Sequence, residues 1–167
     1  METIIKLKQK NVPFQSLIKT ITIDYHSYFK KTLPALSNLL LILSKRENKR
    51  IQNLDKINKL FSDFKELLNQ HISKEIFILF PIIKKLDTEE SLKVNITDFK
   101  KMHQKTFNDN IMLLAILNKI NSLTNNYEPI KLESKLQKQC FMDLKSFENN
   151  CRNYFELKKK HFIHMLN

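Results

Sequence analysis

Not one of the 167 residues is glycine. At an average usage of about 7%, a chain this long would carry roughly a dozen. Glycine lets the backbone take positive φ and approach a ligand closely. Its absence excludes a P-loop, a GxGxxG dinucleotide fingerprint and a GxSxG nucleophile elbow. It also argues against tight type I′ hairpins, and with them an all-β fold. Proline occurs only 4 times, while 42% of the residues are hydrophobic. So little turn punctuation with so much apolar content predicts a few long helices. The length suits one domain, residues 1–167, with a core of its own.

Lysine and arginine number 29 against 17 aspartates and glutamates, a net charge of +12. Such a charge draws anionic partners. The basic residues are nearly all lysine, however, with arginine only at Arg46, Arg50 and Arg152. Base-reading and phosphate-forking sites favour arginine, so nucleic acid is not the expected partner. The runs Lys84-Lys85, Lys100-Lys101 and Lys158-Lys159-Lys160 read as solvated faces. Cys140 and Cys151 are too few for a disulfide scaffold and read as packing residues of a protein in a reducing compartment. The opening METIIKLKQK lacks the apolar region of a signal peptide, and the run Leu39–Leu43 is far too short to span a bilayer. A cytoplasmic protein without a membrane segment is expected.

Apolar periodicity predicts four helices. The first covers about 14–44, with Pro13 in its first turn, Pro34 as a kink, and Phe14, Ile18, Phe29, Leu33, Leu36 and Leu40 as its inner stripe. The basic segment Lys45–Arg50 reads as a connection. The second covers about 51–86, with a stripe of Leu54, Ile57, Phe61, Phe64, Leu68, Ile78, Leu79 and Ile82. Pro81 should disturb its last turns, and a polar loop centred on Asp87–Ser91 follows. Thr97 or Asp98 is a candidate cap for the third, which runs to about Leu123 with Phe99, Phe107, Ile111, Leu114 and Leu117 inward. The stretch from Thr124 to Pro129 breaks it. The fourth covers about 132–165, with Leu136, Cys140, Leu144, Phe147 and Cys151 inward. Short connections between four amphipathic helices predict an all-α, up-down-up-down four-helix bundle.

Polar residues interrupt these stripes. His26 precedes Phe29 by three positions, His71 follows Leu68 by three, Glu75 follows His71 by four, and His103 lies midway between Phe99 and Phe107. A lone inward histidine is ordinarily a satisfied core residue. Three on separate helices, with a carboxylate, ask for a common explanation, because an inward Glu without a cation or a hydrogen-bond partner is costly. A metal would neutralise it and use neutral imidazole. The mixed nitrogen and oxygen donors suit iron, manganese or zinc. No Ser–His–Asp grouping is evident from the spacing.

The run His71-Ile-Ser-Lys-Glu75 followed by Ile78-Leu79-Phe80-Pro81 resembles the H-x-x-x-E…LFP signature of hemerythrin-like (HHE cation-binding) domains. Tyr25-His26 followed by Leu33-Pro34-Ala35-Leu36 resembles the first-helix motif of one branch, the RIC-type di-iron proteins for repair of iron–sulfur clusters. The intervals from His26 to His71 and from His71 to His103 are close to that family's, and the likeness extends over about 13–166. It implies a hemerythrin-like fold with one or two non-haem irons. His26, His71 and His103 would be terminal ligands and Glu75 a bridge. It also implies a stress-response role, with damaged iron–sulfur proteins, nitric oxide or dioxygen as partners.

The chain departs from the pattern in its last helix. An ungapped alignment puts Tyr154 where the family has a histidine and Lys158 where it has a bridging glutamate. Met102 precedes His103 where many relatives have glutamate, and the family's N-terminal cysteine domain is absent. Two readings follow. In one, a partial metal site of His26, His71, Glu75 and His103 persists, with Tyr154 as a further ligand. In the other, Lys158 takes the place of the cation and pairs with Glu75, and the chain is a metal-free bundle kept as a basic binding or scaffold module. His161 and His164 read as part of a solvated C-terminal end.

Overall fold

The computed structural model describes residues 14–86, 95–128 and 134–162. Among these residues there are four long helices and no strand, as the absence of glycine and the helical periodicity require. Helix α1 joins an α-helical stretch Phe14–Thr20, a π-helical segment Ile21–His26 and an α-helix Ser27–Glu47. Helix α2 joins Leu54–Lys74, a π-helical segment Glu75–Leu79 and a last stretch Phe80–Leu86. Helix α3 is Ile96–Leu123 and helix α4 is Lys135–Phe162. Helix α1 packs against α2 and α4, and α3 also packs against α2 and α4. Pro13, the loop centre Asp87–Ser91, Pro129, the expected helix start at Leu132, and Ile163, His164 and Met165 lie outside the described residues.

One apolar core runs through the helices. Phe29, Leu33, Leu36 and Leu40 of α1 meet Ile57, Phe61, Phe64 and Leu68 of α2 and Leu144, Phe147 and Cys151 of α4. Phe147 sits among rings, 5.8 Å from Phe29, 5.7 Å from Phe61 and 5.6 Å from Phe64 between centroids, each pair edge-to-face. Edge-to-face packing sets the positive rim of one ring on the negative face of another. No described helix is long and apolar enough to cross a membrane.

Several expectations need correction. Helix α1 continues through Lys45–Glu47 before its connection begins, with Pro34 inside it. Helix α2 starts at Leu54 because Asn53 takes a left-handed φ of 64°. The cap of α3 is Asn95, whose side chain accepts hydrogen bonds from the backbone N–H groups of Thr97 and Asp98 at 2.9 and 3.4 Å. Ile78 is exposed, whereas Leu79 and Phe80 are both buried. A π-turn holds an extra residue, and here it shifts the inward face by one position. Pro81, which has no N–H to offer the α-ladder, comes two residues after the segment's end at Leu79. Ile111 also faces outward. The inward face of α3 instead follows Phe99, His103, Thr106, Asp109, Leu113 and Leu117.

The turn between α3 and the next segment carries three consecutive positive φ angles, at Asn125, Asn126 and Tyr127. Asparagine tolerates that region; a bulky tyrosine does not without support. Tyr127 is buried, and its hydroxyl donates to the Glu148 carboxylate of α4. The same carboxylate is held by Arg152, 2.7 Å from Nε to Oε1, and by Asn121 at 3.3 Å.

Candidate functional site

The two π-helical segments lie at the centre of the site. One ends on His26 and the other begins on Glu75. His26, His71, Glu75 and His103 are all buried, as their positions on the stripes require. The structure brings His26, His71 and Glu75 into one cluster, together with Tyr154 and Lys158 of α4. His103 lies beside Phe99, with ring centroids 6.3 Å apart, and feels the cluster through the charge of Lys158.

Glu75, with 0% exposure, is the hub. His26 Nε2 donates to its Oε2 at 2.8 Å, and the Tyr154 hydroxyl donates to the same oxygen. Oε1 is in contact with the Lys158 ammonium and lies 3.2 Å from His71 Nε2. Lys158 is only 3% exposed, which overturns its reading as part of a solvated basic run. Its Nζ also lies 2.5 Å from His71 Nε2 and 4.5 Å from the Tyr154 ring centre. The buried ion pair between Lys158 and Glu75 is therefore present.

Burial pushes the Glu75 carboxyl up, but the Lys158 ammonium, His71 and the hydrogen bond from His26 outweigh it and hold the group well below the usual carboxylate range. Burial lowers Lys158, and Glu75 partly opposes that shift. Burial, then the Glu75 charge, pushes the Tyr154 hydroxyl well above its usual range, which keeps it a phenol. Burial and the Lys158 charge lower His103.

Two residues outside the predicted set complete the geometry. Asp109 of α3 faces His71, with Nδ1 to Oδ2 at 3.3 Å, and accepts from Lys74 at 2.8 Å. Asn110 Oδ1 lies 3.4 Å from Lys158 Nζ. Both were obscured in the sequence because Ile111 offered an apolar alternative for that turn of the stripe. His71 thus lies between two carboxylates, Asp109 3.3 Å from Nδ1 and Glu75 3.2 Å from Nε2, with the Lys158 ammonium also against Nε2.

These residues do not fit the metal centre that the resemblance implies. The imidazole nitrogen of His71 and the inner carboxylate oxygen of Glu75, the donors a cation would need, already face an ammonium. Tyr154 keeps its proton, and phenol is a far weaker ligand than phenolate. His26 Nδ1 is buried without a hydrogen-bond partner, whereas a ligating imidazole ordinarily anchors its second nitrogen. Among the described residues, no group of three or more His, Cys, Asp and Glu side chains is arranged to hold a metal ion. No protein-family model matches the chain, and no curated protein matches it.

Proposed function

We propose that this chain is a hemerythrin-like, up-down-up-down four-helix bundle that works as a metal-free binding or scaffold module through its basic surface. The observation that carries this reading is the Lys158 ammonium, seated between Glu75 and His71 where the pattern asks for a cation. The site is closed: Glu75 and Tyr154 are fully buried and their polar groups point at one another. Recognition then falls to the surface, which combines the net charge of +12 with exposed apolar residues, Phe77 at 77% among them. An acidic protein segment is the partner class that such a surface suits.

A second reading rests on Asp109. A carboxylate behind His71 is the usual support of a metal-bound imidazole. It keeps alive a non-haem iron protein with a partial site of His26, His71, Glu75 and His103, related in role to iron–sulfur cluster repair. Elemental analysis of the wild-type chain and of His71→Ala, each after anaerobic Fe(II) loading, separates the two. Iron in the wild type no higher than in the variant is the expected result. Stoichiometric iron that disappears in the variant would overturn the metal-free reading.

A further inference from the structure

The two π-helical segments turn His26 and Glu75 inward and set neighbouring residues outward. Thr22, Ile23 and Asp24 are exposed on one, and Ile76, Phe77 and Ile78 on the other. The segments lie side by side, since His26 Nε2 is 2.8 Å from Glu75 Oε2. Next to them the first stretch of α1, Phe14–Thr20, packs against the last stretch of α2, Phe80–Leu86. A groove of about 520 Å³ opens there, lined by Gln15, Ile18, Lys19, Thr22 and Ile23 of α1 and Lys84 of α2. Ile18 and Ile23 give it an apolar surface, and Ile23 is 54% exposed. Lys19 and Lys84 are the charged groups that line it. Both are exposed, and neither has an ion-pair partner among the described residues.

We propose that this groove docks an acidic segment of a partner protein, with an aliphatic side chain of that segment against Ile18 and Ile23 and flanking carboxylates at Lys19 and Lys84. An apolar surface rimmed by polar groups suits association, and the charge selects the occupant. Two unpaired ammoniums favour carboxylates and disfavour cationic partners. A second copy of the chain brings a net charge of +12, and residues 1–13 carry Lys6, Lys8 and Lys10 against Glu2, so both have the wrong sign. An anionic membrane has the right sign, but a concave groove accepts a protruding side chain better than it meets a flat surface. This inference rests on the metal-free, basic-module reading and gives that module its contact face.

The test uses the full chain and a fluorescein-labelled peptide with a central leucine flanked by glutamates, read by fluorescence anisotropy at low salt. An all-glutamate peptide of the same length reports on charge alone. Lys19→Glu with Lys84→Glu should weaken the leucine-centred peptide at least about tenfold. Lys49→Glu with Lys119→Glu, an equal charge change outside the groove, should weaken it by less than about threefold. Ile23→Ser should weaken the leucine-centred peptide about fivefold and leave the all-glutamate peptide unchanged. All five side chains are exposed, and helical circular dichroism checks that the variants fold. Equal losses in the two charge-reversed variants, or an Ile23→Ser chain indistinguishable from the wild type, overturn the groove as the site and leave the basic-module reading standing. Binding to phosphatidylserine vesicles that depends on Lys19, Lys84 and Ile23, without binding of the peptide, overturns it in favour of a membrane surface. Binding of neither peptide nor vesicle would sink the basic-module reading as well, so the two failures are distinguishable.

Discussion

Glu75 and Lys158 depend on each other because neither charge reaches water. Removing one partner of a buried pair leaves the other uncompensated, which typically costs about 3–5 kcal/mol. Lys158→Met should destabilise the chain on that scale in urea unfolding. Glu75→Gln with Lys158→Met should recover much of the loss, because the double variant buries no charge. A Lys158→Met midpoint equal to the wild type would show that the pair contributes nothing. Cys140 gives a separate, pH-dependent prediction. Burial, followed by the charge of Asp143, pushes its thiol up to about 12 from an ordinary 9.0. Above the ordinary value the unfolded chain releases this proton and the folded chain keeps it, so the unfolded state binds fewer protons and stability falls as pH rises. The contribution is complete below about pH 9 and is lost as pH climbs toward 12. Cys140→Ala should flatten that alkaline decline, and alkylation of the native thiol near neutral pH should track global unfolding. The buried histidines and Glu75 were legible as residues because each breaks an apolar stripe. Asp109 was not, since its role depends on a contact with a different helix.

Two features at helix ends yield measurable costs. Asn95→Ala removes the side chain that caps α3 and should cost about 1 kcal/mol, read as a lower unfolding midpoint together with fraying at Thr97 and Asp98 in amide exchange. Unchanged exchange there would mean the cap is redundant. Tyr127→Phe removes the hydroxyl that ties the left-handed turn to Glu148 and should cost about 1 kcal/mol, since Arg152 and Asn121 still hold the carboxylate. A loss several times larger would show that the hydroxyl also holds the strained φ in place. The periodicity located all four helices, yet it misread Ile78 and Ile111. At Ile78 the π-turn rotates the face by one residue, and a register change of that kind leaves no mark in a count based on the α-helical period. At Ile111 hydrophobicity favoured an inward position, but packing placed Asp109 and Leu113 inward and left Ile111 in solvent.

At the scale of the whole molecule, the cation in the core is part of the chain and cannot be chelated. The thermal midpoint of the wild type should therefore be the same in EDTA as in Zn²⁺ or Fe(II). A fall in EDTA would point to a resident metal. Binding of acidic segments should weaken as salt rises past physiological strength, where screening acts within about 8 Å; salt-independent binding would shift attention to the exposed Phe77 surface. The sequence by itself determined the all-α class, because a chain without glycine and with 3.6-residue apolar stripes has no other economical way to bury its core. It also marked His26, His71, Glu75 and His103 as inward, since each interrupts an apolar stripe. Only the tertiary structure decided what they do there. Glu75 has the same place in the sequence pattern whether it meets a metal or an ammonium. The contact with the ammonium arises where α4 packs against α1 and α3 and sets Lys158 beside Glu75 and His71, because the energy of a buried charge depends on the distance to its counter-charge, and that distance is created by packing between helices.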